Sequence, residues 1–306
     1  MEADPLYHVK QLFHQALLTP ATIAEASSQT LTPGDEPAAL PRAVYVARAH
    51  LALQPAQVVE AQAVLAPFLA VEPAPPSARA ASALATYLSS SGAERAAAVD
   101  EVRDLVLEVE GDDVEADVEG PTRVLAGTIF ILEKENEEAV ATLTEGAAKS
   151  DLECIALLTQ LLLALDRRDL AQQQYAAAKR IGNDSTLVQA IEAWIGLKTG
   201  ARPLHQAYYF YEELYQLPAG RTPPVLASHA AAHLLLSHVD EAKADVQEAQ
   251  GRDGGADDAN VLAVATSLGD DEAAAKLATT GHPFAADLAA KDKAFDEAAA
   301  KFAIAA

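Results

Sequence analysis

The chain has 306 residues and a formal net charge of −23, from 22 Lys plus Arg against 45 Asp plus Glu. Such a surface repels phosphate backbones and anionic lipid headgroups, and no Lys/Arg cluster interrupts it, which argues against direct nucleic-acid binding and unaided docking on an acidic membrane. Half of the residues are hydrophobic, alanine dominates that share and only 5% are aromatic, so a large core of closely approaching helices is predicted.

Cys154 is the only cysteine, which rules out an intrachain disulfide and suits a reducing compartment. The start, Met1-Glu2-Ala3-Asp4, is acidic and lacks the basic-then-apolar plan of a signal peptide. The most apolar uncharged stretch, Cys154 to Leu165, is shorter than the roughly 20 residues of a membrane span. A soluble, cytoplasmic protein is expected.

From the N-terminus, Leu6 to Leu17 and Ala21 to Ser28 form a first plausible helix pair, followed by a break at Thr32-Pro33-Gly34. Pro41 to Leu53 and Gln57 to Leu69 make a second pair, and Pro73-Ala74-Pro75-Pro76 reads as a loop. Glu94 to Val109 is a further helix. The stretch 108–120 then carries Glu108, Glu110, Asp112, Asp113, Glu115, Asp117 and Glu119 without a base, and reads as a solvated acidic loop.

Over 122–281 a short signature recurs: one or two acids, then Ala. It appears as Glu137-Glu138-Ala139, Asp169-Leu170-Ala171, Asp240-Glu241-Ala242 and Asp271-Glu272-Ala273, with a degenerate copy at His205-Gln206-Ala207. The alanines stand 32, 36, 35 and 31 residues apart, close to the roughly 34-residue period of a tetratricopeptide (TPR) helix-turn-helix repeat. Acids at the start of each second helix suit the positive end of its dipole, and the small residue lets the two helices of a pair approach. Four residues on stand Leu143, Tyr175, Tyr211, Val246 and Leu277, all bulky. Twelve residues back stand Gly127, Thr159, Ala230 and Val261; in the third repeat a turn longer by two residues places the equivalent position at Ala193.

The C-terminal stretch 283–303 reads as one amphipathic helix, with Phe284, Leu288, Phe295 and Phe302 at helical spacing, suited to capping the last repeat. The fold expected is therefore all-α, with TPR-like repeats forming a right-handed superhelix (an α-solenoid), a single domain over 1–306 and a C-terminal capping helix.

A superhelix of this kind presents its first-helix residues along a concave face. In this register that face includes Thr128, Gln160, Leu163, Trp194, Leu197, Ala231 and Leu234. Trp194 is the only tryptophan, and tryptophan is over-represented among interface anchors. The aromatic run Tyr208-Tyr209-Phe210-Tyr211 cannot share one helical face, which points to packing rather than a binding box. His229 and His233 are spaced to bring two imidazoles to one ion, but zinc needs a further protein ligand and no H-E-x-x-H or cysteine cluster supplies it. No metal and no cofactor is expected. Cys154 sits in an apolar helical stretch, where burial makes a thiol inert. No nucleophile-and-base spacing or glycine-rich phosphate loop is present, so no catalytic residue is expected.

The block from Leu152 to Gln216 carries Leu152-Glu153-Cys154, Leu165-Asp166-Arg167 with Asp169-Leu170-Ala171, Thr186-Leu187, Ala193-Trp194, and Ala207-Tyr208-Tyr209 with Glu212-Glu213. In this order they resemble the epsilon subunit family of coatomer (epsilon-COP), as do His282-Pro283-Phe284, the closing Lys291 to Phe302 helix and, more weakly, Leu6 to Phe13. The resemblance implies a non-catalytic structural subunit of the COPI vesicle coat, serving retrograde Golgi-to-ER and intra-Golgi transport. It further implies pairing with the C-terminal domain of the coatomer alpha subunit, the superhelix closing around a projecting hairpin there, with other coatomer subunits contacted indirectly. The membrane would be reached only peripherally through the coat, on the Golgi and on COPI-coated vesicles.

The alternative is a TPR adaptor or co-chaperone scaffold for another protein partner. A clamp for an acidic tail begins with a Lys-x-x-x-Asn pair, whereas Lys10 is followed four residues on by His14. The net charge of −23 also opposes an acidic ligand.

Overall fold

The computed structural model describes residues 4–15, 19–29, 36–111 and 114–302. Among these there are helices and turns but no strand. The α-helices run α1 (Tyr7–His14), α2 (Thr19–Ser28), α3 (Ala39–Ala52), α4 (Val58–Leu69), α5 (Pro76–Ser89) and α6 (Ala93–Val109). They continue α7 (Ala116–Leu132), α8 (Asn136–Thr144), α9 (Leu152–Ala164), α10 (Arg168–Gly182), α11 (Thr186–Thr199) and α12 (Ala201–Gln216). The last are α13 (Pro223–Leu235), α14 (Val239–Gln250), α15 (Ala259–Ser267), α16 (Asp271–Leu277) and α17 (Pro283–Ala299). Among the described residues, no helix is long and apolar enough to cross a membrane.

The sequence signature coincides with helix starts. Acids occupy the first turns of α8, α10, α14 and α16, and the alanine that follows each is buried. Ahead of each of these helices one residue takes a left-handed conformation: Lys134, Asp166, Ser237 and Gly269. The next amide reaches back five residues to a helix carbonyl, as in Glu135 to Phe130 (2.9 Å), Arg167 to Leu162 (2.7 Å) and His238 to His233 (2.9 Å). This closure satisfies carbonyls that the helix end leaves open and sends the chain back antiparallel. In the third repeat the left-handed pair is Gly200 and Ala201, with Gly200 seven residues before Ala207 rather than the five that separate Asp166 from Ala171. The longer turn expected there is present. Gly196 also approaches Ala207 closely: a Cβ on Gly196 would lie 3.2 Å from that of Ala207 and 2.5 Å from the Pro203 carbonyl oxygen, while Ala193 is buried on the same helix.

The N-terminal half is also helical pairs. α3 and α4 match the second expected pair, and α1 and α2 the first, although Leu17 and the Thr32-Pro33-Gly34 break lie outside the described residues. α5 was not expected. Its prolines suggested only loop, yet Pro76 occupies the first helical turn, where a missing N–H costs nothing, and Ala78, Ala80, Ala81 and Ala85 are fully buried. The acidic stretch 108–120 is helical at its two ends, and its described residues 110–111 and 114–115 form no helix. Glu108 belongs to α6 and pairs with Arg79 at 2.7 Å, while Asp117 and Glu119 lie in the first turn of α7; Asp112 and Asp113 lie outside the described residues. Glu119 is buried, with Oε1 2.6 Å from Arg123 Nε and 3.1 Å from the Ala147 amide. Arg123 in turn donates to the Thr142 carbonyl oxygen at 3.1 Å, joining α7 to α8.

The chain divides into two compact units, Met1–Phe210 and Tyr211–Ala306, with the division inside α12. The first unit holds two hydrophobic clusters. One is built mainly from alanines, valines and leucines of α3 to α9 and includes Phe130 and Leu105; the other, from α7 to α11, includes Ile155, Leu158 and Ile191. The second unit has a smaller core, including Leu226, Val246, Val261 and Leu277. α17 packs Phe284 and Ala285 against that core, while Leu288, Phe295 and Phe302 remain exposed.

Candidate partner-binding site

In the first unit, α9 places three consecutive residues in different environments. The Asp151 side chain caps the helix, accepting from the Cys154 amide at 2.8 Å. Cys154 is fully buried and its thiol donates to the Gly120 carbonyl oxygen at 3.6 Å. Burial and the nearby Asp151 carboxylate push that thiol far above its ordinary pKa, so it has no nucleophilic role.

Glu153, between them, is directed towards α1 and α3. Its Oε2 lies 2.7 Å from Arg48 Nη1, and its Oε1 accepts from the Tyr45 hydroxyl at 2.5 Å and lies 2.9 Å from His14 Nε2. Burial alone would raise the Glu153 pKa. The Arg48 charge and the His14 and Tyr45 contacts reverse that and hold it far below the usual carboxylate range. The same burial, with the Glu153 charge, pushes Tyr45 well up. Arg48 also stacks over the Phe13 ring at 4.5 Å, and Phe13 meets Tyr45 edge-on at 5.0 Å.

This network forms one side of a cavity of about 150 Å³, open to solvent. Phe13, His14, Arg48 and Glu153 line that side; Thr128, Leu157, Gln160, Leu187 and Trp194 complete the wall from α7, α9 and α11. A half-buried indole, aliphatic walls and an exposed amide at Gln160 make a recess suited to an apolar side chain presented by another protein, with polar groups at the rim. A larger groove of about 370 Å³ runs along α5 and α6. It offers Arg79, already paired with Glu101 and Glu108 at 2.7 Å, and no aromatic anchor.

Of the residues expected on the concave face, Thr128, Gln160 and Trp194 meet at the smaller cavity. Leu163 is buried in the α7–α11 cluster, and Leu197 is half-buried on α11. Ala231 and Leu234 belong to the second unit and are half-buried on α13. Sequence reasoning missed Phe13, Arg48 and Glu153 as one group, because the contacts join residues about a hundred positions apart and no short motif records them. The aromatic run divides as its spacing required: Tyr211 is buried, Tyr209 exposed, and Tyr208 and Phe210 half-buried.

The chain matches the family model described as the coatomer epsilon subunit over residues 2–303. It is 29% identical over 131 residues to coatomer subunit epsilon-1 of Arabidopsis thaliana, covering 43% of this chain and 44% of that protein. It is 26% identical over 225 residues to coatomer subunit epsilon-2 of Oryza sativa subsp. indica, covering 70% and 71%. To coatomer subunit epsilon of Dictyostelium discoideum it is 30% identical over 122 residues, covering 40% and 39%. The chain thus spans less than half the length of the Arabidopsis and Dictyostelium relatives in these matches.

Proposed function

The chain belongs to the coatomer epsilon subunit family, and from that premise we propose that it is a structural, non-catalytic subunit of the COPI coat. Its direct partner is the C-terminal domain of the alpha subunit, which it binds and stabilises during retrograde Golgi-to-ER and intra-Golgi transport. It resides in the cytoplasm and meets the Golgi membrane and COPI-coated vesicles only through the coat.

The observation that most supports this reading is the cavity between Trp194 and the Arg48–Glu153 pair. A fixed ion pair and a semi-exposed tryptophan form a preorganised recess, which lowers the ordering cost of receiving a folded partner. Thr128 and Gln160 line the same cavity and Leu197 is half-buried on the helix that carries Trp194, whereas Leu163 packs in the core; Ala231 and Leu234 are proposed contacts of the second unit taken by itself. The absence of a basic patch in a chain of charge −23 suits membrane attachment through other subunits.

Size-exclusion chromatography of the chain with the C-terminal domain of the matching alpha subunit tests the proposal. A stable one-to-one peak is expected, with Trp194→Ala weakening it by about 2–4 kcal/mol while helicity by circular dichroism is retained. Two separate peaks at micromolar concentration would overturn it.

A further inference from the structure

The second compact unit contains a group of imidazoles and carboxylates with no part in the proposed partner site. His229 and His233 lie one turn apart on α13, so both project from one face of that helix. Asp245 comes from the next helix, α14, twelve positions after His233. All three are buried, at 3%, 8% and 8% exposure. Their potential ligand atoms lie within 4.8 Å of one another. The third ligand missing from the sequence reading is thus supplied by helix pairing.

The distances are compatible with a shared ion. Asp245 Oδ2 lies 2.9 Å from His229 Nδ1 and 4.0 Å from His233 Nε2. Two ligand atoms each about 2.0–2.1 Å from a tetrahedral zinc stand about 3.3–3.4 Å apart. The two separations bracket that value and the third, between the two imidazole nitrogens, is at most 4.8 Å, so modest side-chain shifts would bring all three atoms onto one ion. The Asp245 oxygen is also buried without an aligned hydrogen-bond donor.

The outer nitrogens are equally informative. His229 Nε2 lies 2.9 Å from Glu212 Oε2, and His233 Nδ1 lies 3.4 Å from His238 Nδ1. Each imidazole therefore turns one nitrogen towards Asp245 and has the other held from outside, the arrangement that fixes the ring and tautomer of a metal-bound histidine. Tyr215 stacks on His229 at 5.1 Å and covers one side. Glu212 and Asp245 bring two negative charges to this region, which a divalent cation offsets.

We propose that His229, His233 and Asp245 form a divalent transition-metal site, with zinc the best match to its ligands, in which the ion pins α13 to α14. Two imidazoles and one carboxylate are borderline ligands of the type zinc takes, and three protein ligands leave a fourth position for water. Glu212 and His238 orient the ligands. The proposal is independent of the coat reading.

The test uses the full chain, stripped of metal and titrated with zinc chloride against a chromogenic chelator. One equivalent should bind and raise the melting temperature, and cobalt(II) loading should give the visible bands of a four-coordinate site. Asp245→Asn and His233→Gln should each weaken binding at least about 100-fold and abolish the cobalt spectrum. Glu212→Gln, touching only the outer nitrogen, should weaken it about 10- to 100-fold. His205→Gln, an exposed histidine on α12, should leave it unchanged. Circular dichroism identifies any variant that fails to fold, and the wild-type titration decides the question without it. Failure to take up one equivalent, or uptake of equal affinity in Asp245→Asn and His233→Gln, would overturn the proposal and leave a proton-held triad.

Discussion

Arg48 Nη1 and Glu153 Oε2 stand 2.7 Å apart, joining α3 to α9 across more than a hundred residues of chain. Removing one partner of such a pair leaves the other charged and largely shielded from water, whereas removing both can be almost neutral. Glu153→Gln is therefore expected to destabilise the first unit by about 3 kcal/mol, read from the urea unfolding midpoint. Replacing Arg48 by Met in the same chain should recover much of that loss. A loss under about 1 kcal/mol in the single variant would show the pair to be solvated.

The same group sets an acid dependence. The folded-state pKa of Glu153 is depressed below its unfolded value, so its contribution is fully present above the unfolded carboxyl pKa of about 4.3. That contribution is lost as pH falls through the folded value. The stability gap between wild type and Glu153→Gln should thus be constant from pH 7 to about pH 5 and shrink steadily below about pH 4. A gap that persists undiminished at pH 2 would contradict this sign.

Two glycines at helix crossings distinguish soft from hard contacts. A Cβ on Gly127 would meet Leu143 Cδ2 at 2.9 Å, a side-chain tip that can turn aside; on Gly196 it would meet the Pro203 carbonyl oxygen at 2.5 Å, which cannot. Alanine gains up to about 1 kcal/mol of helix propensity at either position. Overpacking costs about 1–3 kcal/mol and should exceed that gain only where backbone resists. Gly196→Ala is expected to lower stability by about 1–2 kcal/mol and Gly127→Ala to stay within about 1 kcal/mol of wild type, both by thermal melting.

These glycines also mark what was readable before the structure. The signature of one or two acids followed by Ala located α8, α10, α14 and α16 because one physical requirement, a small residue at the crossing with charge at the helix start, recurs at similar spacing. In the third repeat the longer turn was legible, but the close approach of Gly196 to Ala207 was not singled out by the spacing. α5 was hidden by its own composition, since a Pro-Pro start followed by Ala and Ser gives little periodicity. At the partner site, Thr128, Gln160 and Trp194 were legible from helical register. Phe13 and Arg48 were not, because they reach the cavity from α1 and α3, outside the clear repeats. Asp245, although inside the clear repeats, was not linked to His229 and His233 because helix pairing, not sequence proximity, brings it there.

The turns between paired helices carry a small stored cost. Lys134, Asp166 and Ser237 adopt positive φ angles of 65°, 57° and 67°, where a side chain is disfavoured by about 1–2 kcal/mol. Asp166 lies near Arg168 and Lys198, at 3.3 and 3.7 Å, and so has compensating contacts. Lys134 is exposed at the end of α7 and is the cleaner test. Lys134→Gly should raise stability by about 0.5–1 kcal/mol, the relief of strain exceeding glycine's greater unfolded-state entropy. A decrease would mean that the lysine side chain makes a stabilising contact outweighing its backbone cost.

The C-terminal helix divides into a docked end and a free end. Phe284 is half-buried against the core formed by Leu226, Val261 and Leu277, whereas Phe295 is 72% and Phe302 81% exposed. Burial stabilises in proportion to the apolar area removed from water, so only the first of these rings should matter to folding. Phe284→Ala is expected to cost about 1–2 kcal/mol, and Phe295→Ser to change stability by less than about 0.5 kcal/mol. Chemical denaturation of the full chain, followed by helicity, checks both. Equal losses would place the far end of α17 in a packed environment that its exposed phenylalanines do not have here.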